Sequence, residues 1–195
     1  LKNAKPDGQT VMVLPSGPMV LFPHIYKKLE YDAFKDFTLS CVPPEQCERV
    51  FMTSGTTRGE VKGRHFHPSL SVYDESMRLN FKHHFMQGDE RLRMGILFPD
   101  EAMMPNSSLA HYLALAVQRF GSPESAYYLT PEGLQVQALC KALAESEASG
   151  TPMALLGASY SFVPLLDALN QTGATFRLPV GSRILDTGGF KGQSR

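Results

Sequence analysis

Residues 53–63 read TSGTTRGEVKG, and their types point to phosphate chemistry. Thr53, Ser54, Thr56 and Thr57 put four hydroxyls within five residues. Gly55 sits among them, and its missing side chain lets backbone N–H groups face a ligand. Arg58, Lys62 and Arg64 add three positive charges against Glu60 alone. Hydroxyls, bare amides and cations together suit a polyphosphate, whose oxygens accept hydrogen bonds and need charge neutralisation. This is not a Walker loop, because the six-residue spacing from Gly55 does not reach a Gly-Lys-Ser/Thr end. The alternative is a polar hairpin turn with ordinary surface charges. The density of hydroxyls and the apolar strands on either side favour a ligand.

The other chemistry-bearing residues are weaker candidates. His65 and His67 alternate on an expected strand and share a face, a spacing compatible with metal ligation. No Cys or carboxylate cluster completes that set, so no metal ligands are assigned. His83 and His84 fall at a helix end, where a cationic side chain favours the dipole. Cys140 lies on the apolar face of its helix, as a buried and inert thiol. Cys41 and Cys47 flank a Pro-Pro turn without a paired histidine, and no catalytic residue is assigned. The methionines of MGILFPDEAMM suit either an acyl pocket or core filling. Arg177, Arg183, Lys191 and Arg195 outnumber Asp186, as a phosphate site or a solvated surface.

These groups need a frame. RVFMTS reads as a strand, and VKGRHFH as a second strand that pairs back on it around the Gly/Thr-rich hairpin loop. Pro68 suits the first position of a helix, and Leu70, Tyr73, Met77, Phe81 and Phe85 follow as one apolar stripe. RLRMGILF is a strand, after which Asn106 caps a helix carrying Leu109, Leu113, Val117 and Phe120. SAYYL is a strand, and Thr130 as N-cap with Pro131 in the first turn opens a helix to about Glu147. MALLGA is a strand. A helix with Leu165, Leu166 and Leu169 ends near Gly173, and SRILDTGG runs as a last strand into a glycine turn. The alternation predicts an α/β fold, a largely parallel sheet covered by helices, with ligands beyond the carboxyl ends of its strands. Residues 1–49 read as an irregular, Pro-rich segment in which HIYKKLEYDAF is compatible with a helix, and residues 50–195 as the α/β domain.

A chain of 195 residues holds one domain of ordinary size. With 43% hydrophobic and 19% charged residues it can bury a core, which excludes a disordered charged tail. Nineteen Lys and Arg balance nineteen Asp and Glu, which speaks against a dedicated nucleic-acid binder. No apolar run approaches the roughly 18 residues of a membrane span, and LKNAKPDGQT does not read as a signal peptide. Three unevenly spaced cysteines are neither a disulfide framework nor a zinc signature, which fits a cytoplasmic protein. A first residue that is Leu, and a last stretch GGFKGQSR within a functional loop, lead us to expect a fragment.

The TSGTT loop, with a Lys-Gly pair after it, resembles the signature loop of the adenylate-forming enzymes. Within that superfamily of acyl-CoA synthetases, peptide-synthetase adenylation domains and luciferases, the chain looks most like the acyl-protein synthetase (LuxE) family. FMTSGTTRGEVKGRHFHPSLSVYDESM, LFPDEAMMPNSSLAHYLALAVQRFG, LLGASYSFVPLLDAL and RILDTGGFKGQSR carry the resemblance, in the family's order. They lie within roughly residues 35–195 and are specific at the first and last stretches. The resemblance implies an N-terminal domain portion of an adenylate-forming enzyme. Thr53, Ser54, Gly55, Thr56, Thr57 and Gly59 would wrap ATP phosphates, and Lys62 would match the signature lysine. Gly188, Gly189 and Phe190 would line the adenine and acyl pocket, with Asn106, Ser107, Ser108 and His111 near the acyl site. ATP and Mg2+ are the implied cofactors. A carboxylic acid is the implied substrate, with an acyl-donor or acyl-acceptor protein as partner; a homo-oligomer is compatible.

Two departures accompany the resemblance. Arg58 stands where the family loop has glycine, Val61 where it has proline, and one extra residue lengthens the loop. The family's Tyr-Gly-x-Thr-Glu segment, whose glutamate helps hold magnesium, is not in this sequence. The expected activity is therefore ATP-dependent activation of a carboxylic acid, fatty in this family, with transfer to a protein or carrier thiol, the fragment alone being inactive. The alternatives are a non-catalytic truncated homologue acting as an interaction module, or an aryl or phenylacetate-type CoA ligase.

Overall fold

The computed structural model describes residues 42–52, 63–88 and 91–187. The helix considered at HIYKKLEYDAF, Cys41, the loop residues Thr53–Lys62 and the turn Gly188–Phe190 lie outside the described residues. The chain divides into two units, Leu1–Val50 with His65–Leu70, and Phe51–Arg64 with Ser71–Arg195. In the first, Pro44–Gln46 form one 3-10 turn, and the Glu48 carboxylate accepts the Leu70 N–H at 2.8 Å. The expected strand pair exists as a two-stranded sheet of β1, Arg49–Met52, and β2, Arg64–His67.

The second unit holds the sheet that sequence alternation predicts, four strands and all parallel. Its members are β3 (Arg93–Leu97), β4 (Ala126–Tyr127), β7 (Met153–Ala158) and β8 (Arg183–Thr187), in the order β4-β3-β7-β8. Four helices accompany it: α1 (Ser71–Asn80), α2 (Ser108–Phe120), α3 (Val136–Ser149) and α4 (Ser159–Thr172). Strand side chains alternate between two faces. Met94, Ile96, Ala154, Leu156 and Ala158 point into one apolar core, shared with Met77 of α1 and with Leu113 and Ala116 of α2. Leu97, Met153 and Leu155 point into the other, with Leu139 and Leu143 of α3 and Leu165 of α4. Burial on both faces is why MALLGA is a continuous apolar run rather than an alternating one.

Several local expectations are corrected. Pro68 does not start a helix: α1 begins at Ser71, and the Leu70 N–H just before it donates to the Glu48 carboxylate. The stripe continues past α1 as a π-helical turn, Phe81–Met86. With its five-residue step Met86 is fully buried and Phe85 only partly, where four-residue spacing from Phe81 would bury Phe85. His83 and His84 lie in the last turn of this helix, as expected, and Arg183 of β8 joins them there, its Nη1 donating to the carbonyls of Phe85 and Met86. Ser107, not Asn106, caps α2, its Oγ accepting the Ala110 N–H at 3.2 Å. SAYYL is split, β4 ending at Tyr127, and Leu129–Thr130 (β5) pairs antiparallel with Gly133–Leu134 (β6). Thr130 and Pro131 thus open a hairpin turn and not a helix. The Thr130 hydroxyl donates to the Gly133 carbonyl, and Gly133 supplies the φ of 119° that the turn needs. Of the leucines named on α4, Leu165 is buried and Leu166 is 52% exposed.

Leu156→Ala, at a fully buried central-strand position, is expected to cost about 2–5 kcal/mol in urea unfolding. Ile184→Ala, on the exposed side of β8, is expected to change stability by less than about 0.5 kcal/mol. Equal losses at the two positions would contradict the described core.

Candidate functional site

The connections reverse direction between β3 and β7. From β3 the chain runs through α2 to β4 on one side, then returns through α3 to β7 on the other side and continues through α4 to β8. In open α/β sheets the crevice at the carboxyl ends of two such strands is where ligands bind. Phe98, Pro99 and Asp100 follow β3 there, and Ser159 and Tyr160 follow β7. The Phe98 and Tyr160 rings lie 6.4 Å apart, and burial pushes the Tyr160 phenol above its ordinary range.

On the β4 side of this edge lies a buried histidine with two carboxylates. His111 of α2 is 7% exposed. Its Nδ1 meets Glu101 Oε1 at 2.7 Å, and its Nε2 meets Asp74 Oδ1 of α1 at 2.9 Å. The rings of Phe51, Tyr73 and His111 form a triangle with centroids 5.5, 5.6 and 5.7 Å apart. A neutral imidazole carries one N–H, so both contacts become hydrogen bonds only with one proton beyond those of a neutral ring and two carboxylates. An imidazolium between the two carboxylates makes both bonds charge-assisted. Burial and the nearby Asp74 carboxylate raise the Tyr73 phenol. Burial, with Asp100 and Glu101 nearby, pushes Tyr127 up to about 12.

The residues expected near an acyl group are all brought to this edge, with backbone roles that sequence does not reveal. The Asn106 carbonyl accepts the Met52 N–H at 2.8 Å, Ser107 caps α2, and the Ser108 carbonyl accepts the Tyr73 hydroxyl at 3.2 Å. His111 has both ring nitrogens engaged, so in this arrangement it shapes the site rather than offering a nitrogen to a ligand. The residues that sequence reasoning missed are Asp74, Glu101 and Tyr127. Of these, Asp74 had one signal, a carboxylate placed directly after Tyr73 of the apolar stripe.

On the β8 side, Ser159 Oγ donates to Asp186 Oδ1 at 2.9 Å and to Oδ2 at 3.1 Å. The 53–62 loop begins at Met52, bonded to Asn106, and residues 188–190 continue from Thr187 at the end of β8. Among the described residues, no cluster of three or more His, Cys, Asp or Glu side chains is arranged to hold a metal ion. No described helix is long and apolar enough to cross a membrane. At the opposite, amino edge, a cleft of about 560 Å³ is lined by Arg91, Arg93, Ser122, Glu124, Glu145 and Thr151 among others. Its charges serve the fold: Arg93 pairs with Glu145 at 2.9 Å, and Arg91 donates to the Gly121 carbonyl at 2.6 Å.

His111→Gln is expected to lower unfolding stability by about 1–3 kcal/mol. It should also make a further Glu101→Gln substitution nearly neutral, whereas additive losses in the double-mutant cycle would contradict a shared network. Alkaline unfolding tests the phenols. Tyr127 has an ordinary value of 10 and titrates at about 12 when folded, so the unfolded chain ionises first. Stability is then full below about pH 10 and falls as pH rises toward about 12. Tyr127→Phe is expected to flatten that decline, and an unchanged profile would contradict the assignment. No protein-family model, curated protein or solved structure matches the chain.

Proposed function

We propose that this chain is the ATP- and carboxylate-binding portion of an adenylate-forming ligase of the acyl-protein synthetase type. One observation carries the reading. Met52 and Thr187, from which the hydroxyl-rich loop and the glycine turn continue, both lie at the carboxyl edge of the sheet, on either side of the β3–β7 reversal. On this reading Thr53, Ser54, Gly55, Thr56, Thr57 and Gly59 hold ATP phosphates, Lys62 neutralises their charge, and Gly188, Gly189 and Phe190 line the adenine side. Asn106, Ser107, Ser108 and His111 frame the acyl side, the last through its two carboxylate bonds.

The chemistry is attack of a carboxylate oxygen on the α-phosphorus. An oxygen–phosphorus bond forms, the bond to the β-phosphate bridging oxygen breaks, and pyrophosphate leaves with its electron pair. Magnesium, when bound, neutralises charge on that leaving group. A thiolate sulfur, its proton lost to solvent, then attacks the acyl carbon, the bond from that carbon to the AMP phosphate oxygen breaks, and AMP leaves with the electron pair; a fatty acid is the class the reading favours. Dependence on ATP fits a cytoplasmic location.

Carboxylate-dependent ATP–pyrophosphate exchange by the full-length protein tests the proposal. Exchange with fatty acids is expected, reduced about 100-fold or more by Lys62→Ala. No exchange across a broad panel of acids would overturn it. Thioester formation with CoA, and none with protein, would assign the CoA-ligase branch instead.

A further inference from the structure

The two contacts of His111 tie three segments together. Asp74 stands on α1, His111 on α2, and Glu101 on the loop that joins β3 to α2. Nε2 lies 2.9 Å from Asp74 Oδ1, and Nδ1 lies 2.7 Å from Glu101 Oε1. At such separations each contact needs its own proton, because a bare nitrogen lone pair facing a carboxylate oxygen repels it. The two helices are fixed by buried side chains, α1 through Met77 and α2 through Ala110, Leu113 and Ala116. The loop has no such anchor: none of residues 99–107 is buried, and residues 102–106 are all exposed. Much of its backbone bonding is local, the N–H groups of Met103 and Met104 donating to Asp100 and that of Ser107 to the Met104 carbonyl. Glu101 carries the loop inward to a buried partner.

We propose that the proton shared by His111, Asp74 and Glu101 is a latch that holds the β3–α2 loop against α2 and releases it as pH rises. With the proton in place, an imidazolium donates to both carboxylates and the loop is tethered. When the proton leaves to water, the neutral ring keeps one N–H. That N–H stays on Asp74, whose helix is fixed, and the Nδ1 lone pair is left facing Glu101. The loop, having no buried anchor, is the segment that yields. Other groups surround the cluster. From α1 the Tyr73 hydroxyl donates to the Ser108 carbonyl, and from β1 the Phe51 ring packs on the imidazole. Asp100 and the Tyr127 phenol of β4 lie near Glu101. Arg78 and Arg119 line a small cleft together with Asp74, and Arg78 is paired with Glu75 at 2.7 Å. These groups set the field at the cluster, but the number of protons on the two contacts belongs to His111, Asp74 and Glu101. The same loop carries Asn106, whose carbonyl accepts the Met52 N–H, so the latch governs one wall of the carboxyl-edge crevice. The inference needs no ligand and stands apart from the nucleotide reading.

Hydrogen exchange of the full chain tests the latch, read by mass spectrometry on peptides spanning residues 99–107 at about pH 5 and about pH 9, either side of the ordinary imidazole range. With intrinsic exchange rates divided out, protection of the loop is expected to fall about tenfold or more at the higher pH, while peptides of the buried strand β7 keep theirs. Two isosteric variants carry the decisive comparison. In Glu101→Gln the side-chain amide donates to Nδ1 and the neutral ring donates from Nε2 to Asp74, so both contacts are met without the extra proton. Asp74→Asn does the same with the ring nitrogens exchanged. Each is expected to keep the loop protected at both pH values. The 15N shifts of the His111 ring, assigned by their loss in His111→Gln, should pass from imidazolium to a neutral ring with Nδ1 unprotonated over the same interval. Loop protection in the unaltered chain that does not fall with pH would overturn the proposal. So would a fall of equal size in Glu101→Gln or Asp74→Asn, since neither variant needs the proton.

Discussion

The pairing of β3 with β7 is the constraint on which the rest of the molecule depends. Arg93 stands opposite Met153, and the register runs through to Leu97 opposite Gly157. β7 is buried along its whole length, so each backbone group must find its partner within the sheet, and a slip of one residue would turn every side chain to the wrong core. Gly157 allows the close approach at the carboxyl end. A Cβ there would lie 3.0 Å from the Leu97 carbonyl oxygen and 3.3 Å from the Phe162 ring. The tight contact brings the ends of both strands to one level, and the reversal of chain direction opens the crevice there.

The apolar interior forces charge to the strand ends, and the two ends differ. At the amino edge Arg93 and Glu145 are paired, and Arg91 closes onto a carbonyl. At the carboxyl edge the groups are acceptors and aromatic rings: Asp74, Glu101 and Asp186 with Phe51, Tyr73, Tyr127 and Tyr160. The formal charge of zero hides this separation. An edge rich in carboxylates needs cations to receive phosphate. On the proposed reading Arg58 and Lys62 of the loop would supply two such charges.

The sheet was largely legible because buried parallel strands leave continuous apolar runs, as in MALLGA and MGIL. Helix ends were less so, since the same residue types serve turns and caps. Thr130-Pro131 suits a helix start and equally the first half of a hairpin turn, and only Gly133 three positions on distinguishes them. The π-helical turn was invisible because a shift from four to five residues shows only in which of Phe85 and Met86 is buried. The carboxylates around His111 come from positions 37 and 10 residues away and leave no local spacing to find. Ser159 and Asp186 are likewise joined by strand register and not by sequence distance.

The central claim is that nucleotide binds at the carboxyl edge. Photo-crosslinking of the chain with an azido-adenine analogue of ATP, followed by peptide mapping, addresses it most directly. The account predicts label on peptides containing residues 186–190, competed away by ATP and strengthened by Mg2+. Label confined to the amino-edge cleft, at residues 91–93 or 149–152, or label indifferent to competing ATP, would contradict it.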